Sequence, residues 1–153
     1  MLLAIRDAVL SERSRLRDLH EKSSSVWSED RVMLAAHPEV LGVASEAIQE
    51  GRVRVAETEG KIIGFSVLGF SGCESELDGL FVDPAFMRRG VGRRLLADTV
   101  QMAAGAGIQT MRVVTRSELT HFYEGAGFVL TGSTQTQFGP AVRLHRSFIV
   151  APN

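Results

Sequence analysis

The stretch Ser75–Ala104, SELDGLFVDPAFMRRGVGRRLLADTVQMAA, decides how the rest of the chain is read. It opens with an apolar run, Leu77–Val82, closed by Asp83 and Pro84, and it ends in a helical pattern that begins near Gly90. This spacing predicts a strand, a tight turn and the positive end of a helix. Two glycines without Cβ, Gly90 and Gly92, let an anionic ligand approach the main chain, and the N–H groups of a first helical turn have no internal acceptor. Free donors and the helix dipole together attract phosphate. Four arginines, Arg88, Arg89, Arg93 and Arg94, strengthen the attraction.

Two common phosphate-binding patterns do not fit. The turn lacks the lysine and second glycine of a P-loop, and Leu95 stands where a dinucleotide fingerprint needs its third glycine. Met87-Arg88-Arg89-Gly90-Val91-Gly92 instead resembles the acetyl-CoA diphosphate motif of the GNAT superfamily of N-acetyltransferases, usually Gln/Arg-x-x-Gly-x-Gly/Ala, with methionine at its first position. The preceding LDGLFVDP and the downstream Phe122–Phe128 segment, FYEGAGF, resemble two further features of that superfamily.

Length and composition bound the alternatives. At 153 residues, 44% hydrophobic and 23% charged, the chain has the size and balance of one water-soluble domain over 1–153. A net charge of −1 makes the arginine cluster local, so a nucleic-acid partner is not expected. Cys73 is the single cysteine, which excludes an internal disulfide and fits the reducing cytoplasm. No apolar run reaches the length of a membrane span, and Arg6-Asp7 interrupts the N-terminal run too early for a signal peptide.

Along the chain, Leu2–Ile5 suits a first strand, and the region from Val9 to about Lys22 a polar helix with Leu16 and Leu19 on its inner side. Ser23–Ser28 reads as a loop around Trp27. Asp30–Gln49 is helical but broken at His37-Pro38. A hairpin follows, Arg52–Ala56 and Ile62–Phe70 around a Glu57–Lys61 turn, with Gly64 and Gly69 marking a bulge or a close backbone approach. Cys73–Asp83 completes a meander. The helix from about Gly90 to Ala104 buries Val91, Leu95, Leu96, Val100 and Ala103 and ends at Gly105-Ala106-Gly107. Thr110–Thr115 is then a strand parallel to Leu77–Val82. Ser117 caps a short helix to about Ala126. Val129–Gln137 and Val142–Ile149, joined at Phe138-Gly139-Pro140, form a last hairpin. The order matches the GNAT superfamily over essentially the whole chain. The resemblance implies an α/β fold: a mixed, mostly antiparallel sheet of about seven strands, flanked by about four helices, with a parallel, splayed strand pair.

It also implies a chemistry. Acyl transfer from a thioester to an amine needs an unprotonated amine, a stabilised oxyanion and a proton for the departing thiolate. An alkyl amine with a pKa near ~10.4 needs a base. Glu76 is the first candidate, being fourteen positions before Gly90, where histone-acetylating relatives place a base glutamate; Asp78 shares its strand face. Tyr123, the single tyrosine, is the general acid that the resemblance implies. Its competing reading is a core aromatic whose hydroxyl is satisfied by backbone. The resemblance further assigns the main chain of Leu80, Phe81 and Val82 to the pantetheine arm and the oxyanion, and Arg88, Arg89, Gly90, Val91, Gly92 and Arg93 to the diphosphate. Arg116 stands where many relatives carry a coenzyme-contacting asparagine. His20, His37, His121 and His145 lack metal-ligand spacing, so no metal is expected. The implied cosubstrate is acetyl-CoA, the acceptor a small-molecule or peptide amine, and the partner state a homodimer through the C-terminal strands, without membrane contact. A CoA-binding sensor that has lost turnover is the alternative.

Overall fold

The β2–β3 hairpin shows how local sequence sets the architecture. Its turn is only Glu59-Gly60, with φ of 51° and 76°, a pair of left-handed residues that twists the flanking strands correctly. The structure, a computed structural model, describes residues 1–148. Strands β1 (Ala4–Asp7), β2 (Val53–Thr58), β3 (Lys61–Ser71), β4 (Glu74–Val82), β5 (Thr110–Thr115), β6 (Val129–Thr136) and β7 (Gly139–Ser147) form one sheet in the order β1-β2-β3-β4-β5-β7-β6. Helices α1 (Arg13–Ser24), α2 (Ser28–Ala36), α3 (Ser45–Gln49), α4 (Val91–Gly105) and α5 (Thr120–Glu124) complete it. The mixed seven-stranded sheet is as expected, with β4 and β5 as its parallel pair and one helix more, among the described residues, than the sequence suggests. None of these helices is long and apolar enough to cross a membrane.

Two compact units can be distinguished. The first comprises Met1–Val67 with Gly79–Leu96. Here β3 carries one extra residue: Ala56 pairs with Gly64 and Glu57 with Ile62, so Ile63 bulges. The bulge lets Ile62 and Phe65 face the same layer as Leu16, Leu19, Val53 and Val55, while Ile63 joins Leu3, Ala56, Val91 and Leu95 on the other. Burying a leucine contributes roughly 1.5–3 kcal/mol, so Leu16 and Leu19 rather than helix propensity hold the polar α1 in place. Gly64, next to the bulge, is needed for packing: a Cβ there would lie 2.9 Å from Leu95 Cδ1 and 3.0 Å from the Phe81 carbonyl oxygen. Its absence brings the first turn of α4 down onto the strands.

The second unit comprises Leu68–Asp78 and the chain from Ala97 onward. Helix α4 closes with Ile108 N–H donating to Ala103 O and Gly107 N–H to Ala104 O, around Gly107 at φ 80°. This is the paired-bond ending that a left-handed glycine permits. β5 occupies Thr110–Thr115 as expected and pairs antiparallel with β7 over its whole length, burying Met111, Val113 and Leu144. The parallel ladder between β4 and β5 is short, joining Glu74–Glu76 to Thr110–Arg112, and both strands run on past it.

Several expected boundaries move. Ser23 and Ser24 belong to α1 and are buried, so the loop is shorter than Ser23–Ser28. Hydrogen bonding extends β2 and β3 into the expected Glu57–Lys61 turn. Gly139 and Pro140 belong to β7 and pair with Thr136 and Gln135, leaving Gln137-Phe138 as the turn; Ile149 lies outside the described residues. Ser117 does not cap α5: it lies in a 3-10 turn, Ser117–Leu119, and α5 starts at Thr120 after Leu119, which offers no side-chain cap.

Candidate active site

The turn before α4 is built from Asp83. Its carboxylate is closed to solvent and accepts from Ala85 N–H at 2.9 Å and from Lys22 Nζ at 3.2 Å, with Lys61 Nζ at 4.0 Å. Burial alone would raise the Asp83 pKa, but these donors outweigh it and hold the group below its usual range. Its own N–H donates to Ile63 O at 2.8 Å, fixing the end of β4 to the bulged strand. Pro84–Phe86 then makes a single 3-10 turn. Arg88 and Gly90 follow in left-handed conformation, φ 63° and 82°. A non-glycine residue held there stores backbone strain, a feature that gathers at ligand-holding loops.

Helix bonding begins with Arg94 N–H donating to Gly90 O. The N–H groups of Val91, Gly92 and Arg93 therefore precede the first helical acceptor. A Cβ on Gly90 would meet nothing within 4 Å, so the space beside these donors is open. The arginines divide. Arg94 donates to Leu3 O at 3.3 Å, and the Arg89 guanidinium lies over the Phe86 ring at 5.5 Å. Arg88 and Arg93 are exposed and make no side-chain bond among the described residues.

Upstream, β4 separates its residues by face. The Phe81 ring packs against Phe65 at 5.2 Å and His20 at 4.0 Å between ring centroids, in the layer of α1. Leu80 and Val82 side chains turn to the opposite layer, with Val91 and Leu95. Since Asp83 N–H points to β3, alternation turns the main-chain groups of Leu80 and Val82 away from β3, beyond the last rung shared with β5. His20 Nδ1 accepts Gly42 N–H at 2.9 Å, and burial pushes this histidine down to about 4, so the ring is neutral at pH 7.

In the second unit, Tyr123 is 4% exposed, with edge-on contacts to Phe122 and Phe128 at 5.0 and 5.6 Å. Its hydroxyl makes no hydrogen bond to the described residues. Burial pushes the phenol up, so it keeps its proton throughout the neutral range. Glu76 is half-buried beside Arg112, whose Nη2 lies 3.7 Å from its carboxylate. So exposed a pair is worth under about 1 kcal/mol, leaving the carboxylate available. Asp78 is exposed, with its carboxylate over Gly69. His121 is at the surface 3.4 Å from Glu124, and Cys73 is exposed. Sequence reading missed Asp83, Lys22 and Gly64 as supports of the turn. The Asp-Pro pair was the only local signal for the first, since an aspartate before a prolyl turn can bond the N–H two residues on.

Comparison with known proteins gives the family and the fold. Residues 49–130 match the family model described as an acetyltransferase (GNAT) domain. A search of curated proteins gave no match. Among solved structures, the PaiA N-acetyltransferase of Thermoplasma acidophilum in complex with coenzyme A is similar at TM-score 0.80 and 17% identity, covering 97% of this chain and 100% of that one. The ribosomal-protein-S18-alanine N-acetyltransferase of Escherichia coli is similar at TM-score 0.73 and 17% identity, covering 99% and 97%. The N-acetylglutamate synthase of Neisseria gonorrhoeae, complexed with coenzyme A and L-arginine, is similar at TM-score 0.70 and 19% identity, covering 95% of this chain and 33% of that one.

Proposed function

Because the chain belongs to the GNAT acetyltransferase family, we propose that it moves the acetyl group of acetyl-CoA directly onto a primary amine of a small molecule or peptide, residues 1–153 acting as one domain. The observation that carries this reading is the start of α4: three main-chain donors without helical acceptors, beside a glycine that leaves open space. A diphosphate fits such a cradle in charge and in steric demand. Coenzyme A in the Thermoplasma acidophilum and Neisseria gonorrhoeae structures supports the same donor here.

Acetyl-CoA, when bound, supplies an acetyl group already activated as a thioester. The chain supplies the rest. Val91, Gly92 and Arg93 N–H groups hold the diphosphate at Gly90, and Arg88 and Arg93 neutralise it, with Arg89 in support from Phe86. The main-chain groups of Leu80 and Val82 align the pantetheine arm and offer pre-set donors to the acyl oxygen; Phe81 keeps the strand in place through its ring. Glu76 takes the proton of the acceptor ammonium, and Tyr123 gives a proton to the departing sulfur.

Incubation with acetyl-CoA and an amine panel, read by free-thiol release and product mass, tests the proposal. Acetylated amine with stoichiometric thiol supports it. Tight CoA binding without turnover on any amine favours the sensor instead.

A further inference from the structure

Helix α1 bonds most of its cations to the fold. Arg13 donates to Val43 O at 3.3 Å, Arg15 to Ile62 O at 3.0 Å, and Lys22 to Asp83 at 3.2 Å. Arg17 breaks the pattern: it is exposed and makes no side-chain bond among the described residues. Glu21, one turn further along the same face, is likewise unpaired, although a cation four residues away on a helix commonly takes such a carboxylate. Arg31 of α2 also makes no side-chain bond among the described residues. All three line one cavity of about 360 Å³ in the first unit.

The apolar part of that cavity comes from Leu34, Pro38 and Leu41. Its walls are fixed in advance. Gly42 N–H donates to His20 Nδ1, Leu41 N–H to Pro38 O, and the Arg17 stem lies against Gly42, where a Cβ would come within 3.3 Å. A pre-set cavity loses little entropy on binding. Two guanidiniums attract a carboxylate, and the adjacent Glu21 disfavours a simple anion unless a positive group accompanies it. A volume near the small end of the roughly 300–1,000 Å³ range of ligand sites limits the guest to a small molecule.

We propose that this cavity binds an aliphatic α-amino acid, its carboxylate on Arg17 and Arg31, its ammonium on Glu21, and its side chain on Leu34, Pro38 and Leu41. The proposal does not depend on acetyl transfer, because binding is read without donor. None of its charged residues belongs to the proposed catalytic or coenzyme-binding set.

The test is calorimetric titration of the full chain with L-leucine and L-valine, alongside leucinamide and 4-methylvalerate, which lack one charge each. Saturable binding of an amino acid is expected, with each analogue at least about tenfold weaker. R31Q and E21Q should each weaken the amino acid by a similar factor. Both substitutions are at exposed positions, and unchanged thermal melting separates a binding loss from misfolding. Absence of saturable binding by both amino acids, equal binding of the analogues, or full affinity in both variants overturns the proposal.

Discussion

At the scale of single residues, the division of labour rests on side chains whose polar atoms are spoken for and those whose atoms are not. Tyr123 is enclosed by aromatic edges and its hydroxyl is unused, so Tyr123→Phe removes a proton donor while leaving the packing in place. We expect kcat to fall by about 10²-fold while the donor KM changes little, measured by steady-state kinetics. Because burial raises its pKa, the phenol adds no alkaline limb to the rate profile below about pH 10. Asp83 is the reverse case, an acid fully engaged with Ala85, Lys22 and Lys61. Its pKa is lowered on folding, so its stabilising contribution is present above the ordinary value of 3.8 and disappears as pH falls through the lower folded value. Asp83→Asn should cost about 1–2 kcal/mol at pH 7 and flatten the acid loss of stability, as read from melts across pH. Of these two, the sequence singles out only Tyr123, through the family resemblance of its segment. Lys22 lies 61 positions from Asp83, and local pattern carries no information about such a pairing.

At the scale of elements, spacing and glycine placement were informative wherever the controlling forces are local. The β5 strand, the α4 inner face and the glycine-ended helix could all be read directly, since each depends on neighbours within a turn or two. Strand ends were less legible because hydrogen bonding to a partner strand, absent from local sequence, extended β2, β3 and β7 into expected turns. The Ser117 cap failed because an intervening 3-10 turn, Ser117–Leu119, moves the start of α5 to Thr120. Gly64 could be read only as a bulge or a close approach; the structure puts the bulge at its neighbour Ile63 and the close approach at Gly64 itself. Gly64→Ala sets a methyl against Leu95 and against the unyielding Phe81 carbonyl. Thermal denaturation should show a loss of about 1–3 kcal/mol. Adding Leu95→Ala should relieve part of that strain, giving a double variant more stable than the sum of the two losses.

At the scale of the whole molecule, the sequence leaves the acceptor open. The surroundings of half-buried Glu76 and exposed Asp78, beside Arg112 and over Gly69, come from separate parts of the chain. A net charge of −1 leaves the arginine turn without a wider basic field. Fluorescence anisotropy should therefore detect no duplex-DNA affinity tighter than about 10⁻⁴ M at physiological salt. Coenzyme A at about a hundred times its Kd should stabilise the fold by about 2.7 kcal/mol, a rise of roughly 5–10 °C in melting temperature. An unchanged melt would remove the α4 start as the donor cradle. The bulge at Ile63 bears on how the gene can change in length. Since that residue is supernumerary in the pairing of β2 with β3, a chain lacking it would restore plain alternation and keep Ile62 and Phe65 on their present side. Deleting Val67 instead would send the rest of β3 to the opposite side. Codon loss in this strand is thus best tolerated at one position, and there it costs the carbonyl that secures Asp83.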